Sequence, residues 1–114
     1  MKPIIPAFIK RGERGASIAG ARPEVAIAMT ITMLLFYSMG LIWKLSSCVE
    51  GRHGRNSLHF VGLAFDISTN DIDPSIHDSI TSTLRTALGD EFDVVYEGHK
   101  NHWHIEFQPE QRLP

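Results

Sequence analysis

The chain has 114 residues, enough for one domain around a single hydrophobic core. Apolar residues make up 43 % and charged residues 21 %, as in an ordinary globular protein, and the net charge of −2 offers no basic field for nucleic acid. The single cysteine, Cys48, excludes an internal disulfide and a thiolate zinc cluster, and it reads as a small, half-buried apolar residue rather than a nucleophile.

Residues 1–21 hold two prolines, three glycines and four of the eleven basic side chains, with no sustained period. They read as an N-terminal arm with a short ordered piece around Ala7 to Lys10, ahead of a domain over 22–114. From Val25 to Trp43 nineteen residues carry no formal charge, and Lys10, Arg11, Arg14 and Arg22 precede them. A membrane span meets the lower length limit there, with flanking charge suited to a cytoplasmic N-terminus. No small-x-small cleavage site follows, so a cleavable signal peptide is not expected.

The same run divides more naturally into two elements. Proline and glutamate in Arg22-Pro23-Glu24 suit the first turn of a helix, and Gly40 stops it. That gives a core helix of about 16 residues, apolar nearly all round, and leaves Leu41 to Ser46 as a strand. A core helix is therefore preferred to a membrane anchor. Cys48 to Leu58 is polar and reads as a loop. Leu63 to Ile67 is a short strand with Ala64 and Asp66 on one face.

Asp73-Pro74 opens a second helix, with Ile76, Ile80, Leu84 and Leu88 four residues apart and Gly89 as its stop. His77 on this helix reads as a surface residue. Phe92 to Tyr96 and His102 to Phe107 form a hairpin across Glu97-Gly98-His99-Lys100-Asn101. In its second strand Trp103, Ile105 and Phe107 face one way, and His102, His104 and Glu106 the other. The expected fold class is α+β, a small antiparallel sheet with two main helices packed on it.

Five of the six histidines fall in two tracts, His53 with His59, and His99, His102 and His104. A catalytic zinc takes three imidazole or carboxylate ligands at about 2.0 to 2.2 Å and keeps one position for water. His59 at the start of a strand, Asp66 near its end and His104 on a neighbouring strand supply that set, with Gly62 letting the backbone turn. Taken singly, each histidine is better read as a hydrogen-bonded structural residue, and only the combination favours a ligand set.

The stretch Ser57-Leu58-His59-Phe60-Val61-Gly62-Leu63-Ala64-Phe65-Asp66 resembles the Ser-x-His-x-x-Gly-x-Ala-x-Asp motif of the D-Ala-D-Ala metallopeptidase superfamily, which includes the Hedgehog signalling domain. His102-Trp103-His104 is similar to that family's closing His-x-His. The likeness extends more loosely from Arg22-Pro23-Glu24 to about Pro109, and the nearest look-alikes are phage endolysins and cell-wall peptidases. The resemblance implies a Hedgehog/DD-peptidase-like fold, Zn2+ on His59, Asp66 and His104, and cleavage of a peptidoglycan peptide bond, by an endolysin or a carboxypeptidase.

A carboxylate must then move the water's proton to the leaving amine. Glu97, seven residues before His104, is the preferred base; Glu106, sharing the His104 face, is the alternative base or a support for a ligand. His102 suits oxyanion stabilisation or water orientation better than a fourth ligand, which would close the site. Arg52 or Arg55 suits a substrate carboxylate, and Ser57 a loop or ligand hydrogen bond. The expected partner is a peptidoglycan peptide, the expected state a monomer, and the expected location the cytoplasm until release to the wall, or the periplasm. Two other readings are a non-catalytic zinc-binding wall module and a lysis protein anchored through residues 25–43.

Overall fold

Pro23 at the first helical position and Glu24 in the first turn start helix α1, Pro23–Ser38, where the sequence places it. Gly40, at φ 72°, turns the chain out of it. The computed structural model describes residues 7–9, 22–48 and 63–108. The remaining elements are strands β1 (Ala7–Ile9), β2 (Trp43–Ser47) and β3 (Ala64–Ser68), helix α2 (His77–Leu88), and strands β4 (Phe92–Glu97) and β5 (His102–Phe107). Short 3-10 turns, Pro74–Ile76 and Gly98–Lys100, lead into α2 and join β4 to β5.

The fold is α+β, with the strands in the order β1-β2-β3-β5-β4. From β2 to β4 every neighbouring pair is antiparallel, as expected. The fifth strand, β1, adds a parallel edge on β2, from Ala7 opposite Trp43 to Ile9 opposite Leu45. The ordered piece read around Ala7 to Lys10 is thus a strand of the sheet. Since β3 and β4 both run antiparallel to β5, the unit β3–α2–β4 is a parallel crossover with β5 inserted between its strands.

Alternation along the strands divides the sheet into two chemically distinct faces. Phe65 and Ile67 on β3 lie opposite Ile105 and Trp103 on β5, and all four side chains are fully buried. Both helices cover this face. Phe36 of α1 meets the Trp103 ring edge-on at 5.8 Å, and Thr81 of α2 accepts the Trp103 indole N–H at 2.9 Å. Burying such side chains supplies roughly 1.5–3 kcal/mol each against the cost of ordering the chain. The opposite face carries Asp66, His102, His104 and Glu106.

Helix α1 is a core helix on one side only. Val25, Ala28, Met29, Thr32 and Phe36 are buried, whereas Ile27 and Leu34 are 61 % and 51 % exposed. The all-round apolar sequence therefore overstates its burial, because the helix lies on the sheet rather than within it. Thr32, a polar residue in the apolar stripe, accepts the Trp43 indole N–H at 3.1 Å and donates to Met29 O at 2.9 Å. No helix among the described residues is long and apolar enough to cross a membrane.

Candidate metal centre

The polar face is assembled by strand register. Asp66 on β3 stands directly opposite His104 on β5, and His102 opposite both Ser68 on β3 and Glu97 on β4. Side chains opposed across antiparallel strands meet on the same face. Asp66 Oδ1 accordingly lies 2.9 Å from His104 Nδ1. His102 Nε2 lies 2.9 Å from Glu97 Oε1 and 3.8 Å from Asp66 Oδ2. The two sequence-distant groups, Asp66 with His104 and Glu97 with His102, thus form one continuous row.

A bulge sits beside Asp66. Leu45 pairs with Ile67, yet Ser47, two residues on, pairs with Asp66, one residue on, so β2 carries one extra residue. Ser46 in this bulge donates its hydroxyl to the Asp66 carbonyl at 3.3 Å. Bulges bend a strand and re-aim nearby side chains, and they recur beside functional sites. Nothing in the composition of Trp43–Ser47 marks one beforehand, other than two consecutive serines at the strand end.

The row is rich in negative charge. Asp66, Glu97 and Glu106 surround two imidazoles, and Asp66 is only 5 % exposed. Burial pulls the His104 imidazolium toward losing its proton. The hydrogen bonds and charges of Asp66 and Glu106 outweigh this and raise its pKa from the ordinary 6.5 to about 9. The His102 hydrogen bond, helped by Lys100 at 3.8 Å, holds the Glu97 carboxyl below its usual value. Glu97 is therefore an anion at neutral pH, and the row attracts a cation.

Of the residues singled out in the sequence, Asp66, His104, Glu97, His102 and Glu106 are brought together. His59, Arg52, Arg55 and Ser57 lie outside the described residues, as does His53. Among the described residues no group of three or more His, Cys, Asp or Glu is arranged to hold a metal ion. The chemistry of the row nevertheless fits zinc: a carboxylate and an imidazole nitrogen lie side by side, as two of three ligands would.

Two expectations are corrected. His77 is buried, not at the surface: its Nδ1 lies 2.9 Å from Tyr96 Oη and its Nε2 2.9 Å from Ile72 O. A carbonyl only accepts, so Nε2 carries the proton and Tyr96 donates to Nδ1. Cys48 is fully buried rather than half-buried, which removes it further from any nucleophilic role. No protein-family model matches the chain.

Proposed function

We propose that this chain is a zinc-dependent peptidase of peptidoglycan peptides, acting on stem peptides or cross-links, with a Hedgehog/DD-peptidase-like fold. The observation that carries the reading is the 2.9 Å approach of Asp66 and His104 beside the Glu97–His102 pair. His59, Asp66 and His104 would hold the ion, with the substrate arginines Arg52 and Arg55 and with Ser57 in the segment before Asp66. When bound, zinc supplies a Lewis acid and a water acidified to a pKa of about 7.

The chain's own residues do the remaining work. Glu97, ionised and at the end of β4, accepts the proton of the attacking water and returns it to the leaving amine. His102 donates from Nε2 to Glu97 Oε1 and so orients that carboxylate, beside the position where an oxyanion would develop. The protein acts as a monomer and meets its substrate at the wall, after release from the cytoplasm or in the periplasm.

A second reading, a zinc-binding wall module without turnover, is favoured by one feature. Glu97 is already engaged by His102 through Oε1 and lies 3.8 Å from Lys100 Nζ through Oε2. Zinc analysis and digestion of purified peptidoglycan separate the two. The peptidase reading requires about one zinc per chain and the release of new amines, lowered roughly 10²–10⁴-fold in Glu97→Gln and abolished in His59→Ala. Zinc binding with no amine released from any wall preparation supports the module, and no zinc binding overturns both.

A further inference from the structure

Helix α1 turns a continuous apolar stripe outward. Ile27, Ile31 and Leu34, each 39 % exposed or more, recur at i, i+4 and i+7 and so share one face. Met39, also exposed, extends the row at its C-terminal end. At about 1.5 Å per residue the row runs on the order of 18 Å. Single apolar residues on a surface are ordinary, whereas a contiguous row marks a contact.

The hydroxyls on this face do not reach outward. Thr30 donates to Ala26 O at 3.1 Å and Ser38 to Leu35 O at 2.7 Å, so each spends its proton on the helix's own backbone. No charged residue occurs between Glu24 and Lys44. Beside Leu35 an open groove of about 410 Å³ separates α1 from α2, lined by Leu35, Ser82, Thr83, Thr86 and Ala87, again without a charge. Thr83 likewise folds its hydroxyl back, onto Ser79 O at 2.9 Å.

Charge at one end of the stripe indicates what covers it. Arg22, exposed, stands at the N-cap of α1. The first 24 residues hold Lys2, Lys10, Arg11, Arg14 and Arg22 against Glu13 and Glu24, a net charge of +3 in a chain whose total is −2. An apolar face with cations at its edge complements a bilayer, apolar inside and anionic at its surface. A second copy of the chain fits less well. Four partly exposed side chains do not by themselves supply the roughly 800 Å² per partner of a stable protein contact, and the stripe has no aromatic or arginine anchor.

We propose that the outer face of α1 is a peripheral docking surface for an anionic lipid membrane. Ile27, Ile31, Leu34 and Met39 enter the headgroup boundary, and Arg22 meets the anionic headgroups. The helix lies along the membrane and not across it, since Val25, Ala28, Met29, Thr32 and Phe36 stay in the core. Docking of this kind does not depend on the zinc reading.

The test is sedimentation of the full, metal-free chain with two kinds of vesicle, phosphatidylglycerol mixed equally with phosphatidylcholine, and phosphatidylcholine alone. The chain is expected to pellet with the anionic vesicles and less with the neutral ones. Ile27→Ser combined with Leu34→Ser should weaken partitioning at least about tenfold with the melting temperature kept, because both side chains are exposed. Leu34→Ser alone, about fivefold weaker, serves if the double variant loses its melting transition. Arg22→Gln should weaken it about fivefold on anionic vesicles only. A chain that stays in solution with anionic vesicles overturns the proposal, as does unchanged partitioning in the serine variants. Equal binding to both vesicles overturns the anionic preference. A dimer abolished by the serine variants, without lipid binding, gives the face to a second copy and overturns the proposal as well.

Discussion

Trp103 donates its indole N–H to the Thr81 hydroxyl at 2.9 Å, and Thr81 passes its own proton to His77 O at the same distance. Trp103 lies between His102 and His104 in the chain, so this bond anchors on the helix side the strand that carries both site histidines on the other. Replacing Thr81 by Val keeps the volume and leaves a fully buried N–H without its acceptor. The expected cost is about 1–3 kcal/mol, read as a lower urea midpoint and an altered Trp103 emission. A variant as stable as the parent would show that the bond is not holding β5.

Gly89 ends α2 at φ 75° and ψ −168°, a backbone conformation reached almost only by glycine. A Cβ there would meet nothing within 4 Å, so any penalty is conformational and not steric. Gly89→Ala should cost on the order of 1–3 kcal/mol in urea denaturation. A neutral result would mean that the helix ends differently in solution.

Gly98 limits space in another way. A Cβ on it would fall 2.7 Å from Tyr96 Oη, pushing the ring away from the His77 Nδ1 that it bonds. Gly98→Ala and Tyr96→Phe should therefore both shift the His77 ring resonances, each with a loss of about 0.5–1.5 kcal/mol. Unperturbed His77 resonances in Gly98→Ala would contradict this close packing.

The raised pKa of His104 fixes a sign. Its folded value, about 9, exceeds its ordinary 6.5, because Asp66 and Glu106 favour the imidazolium beyond what burial takes away. The resulting stabilisation is complete below about 6.5 and disappears as pH rises through about 9. In metal-free protein the urea midpoint should fall across that window, and His104→Asn should flatten the fall. On the proposed zinc reading the ion competes with the same proton, so its affinity should rise with pH over that range. A metal-free midpoint that stays level, or climbs, between about pH 6.5 and 9 would rule out a charged His104 in the folded state.

Much of this arrangement was legible in the sequence. Pro23 and Gly40 bracket α1 because each has a local backbone preference, and the alternation His102-Trp103-His104-Ile105-Glu106-Phe107 fixes both faces of β5 by period alone. The meeting of Asp66 with His104 followed from putting both on polar faces of neighbouring strands. What escaped depends on long-range partners. The burial of His77 is set by Tyr96 and Ile72, the parallel β1 edge by an open side of β2, and the Ser46 bulge by register against β3. Gln108 as the partner of Glu106 belongs with these, since nothing in a lone glutamine says which carboxylate it will meet. The outward face of α1 misled for the opposite reason, since apolar composition does not say which side of a helix finds cover.

Strand β4 is the last in the sheet, and Arg85 of α2 reaches it, donating from Nε and Nη2 to the Val94 carbonyl at 3.2 and 2.9 Å. Val95 and Tyr96, both 39 % exposed, follow that carbonyl along the strand. The guanidinium therefore occupies an acceptor that a foreign strand would otherwise recruit, with a cation posted at an apolar rim. Addition of a foreign strand to the β4 edge is thereby discouraged at this carbonyl, close to the hairpin that bears Glu97 and His102.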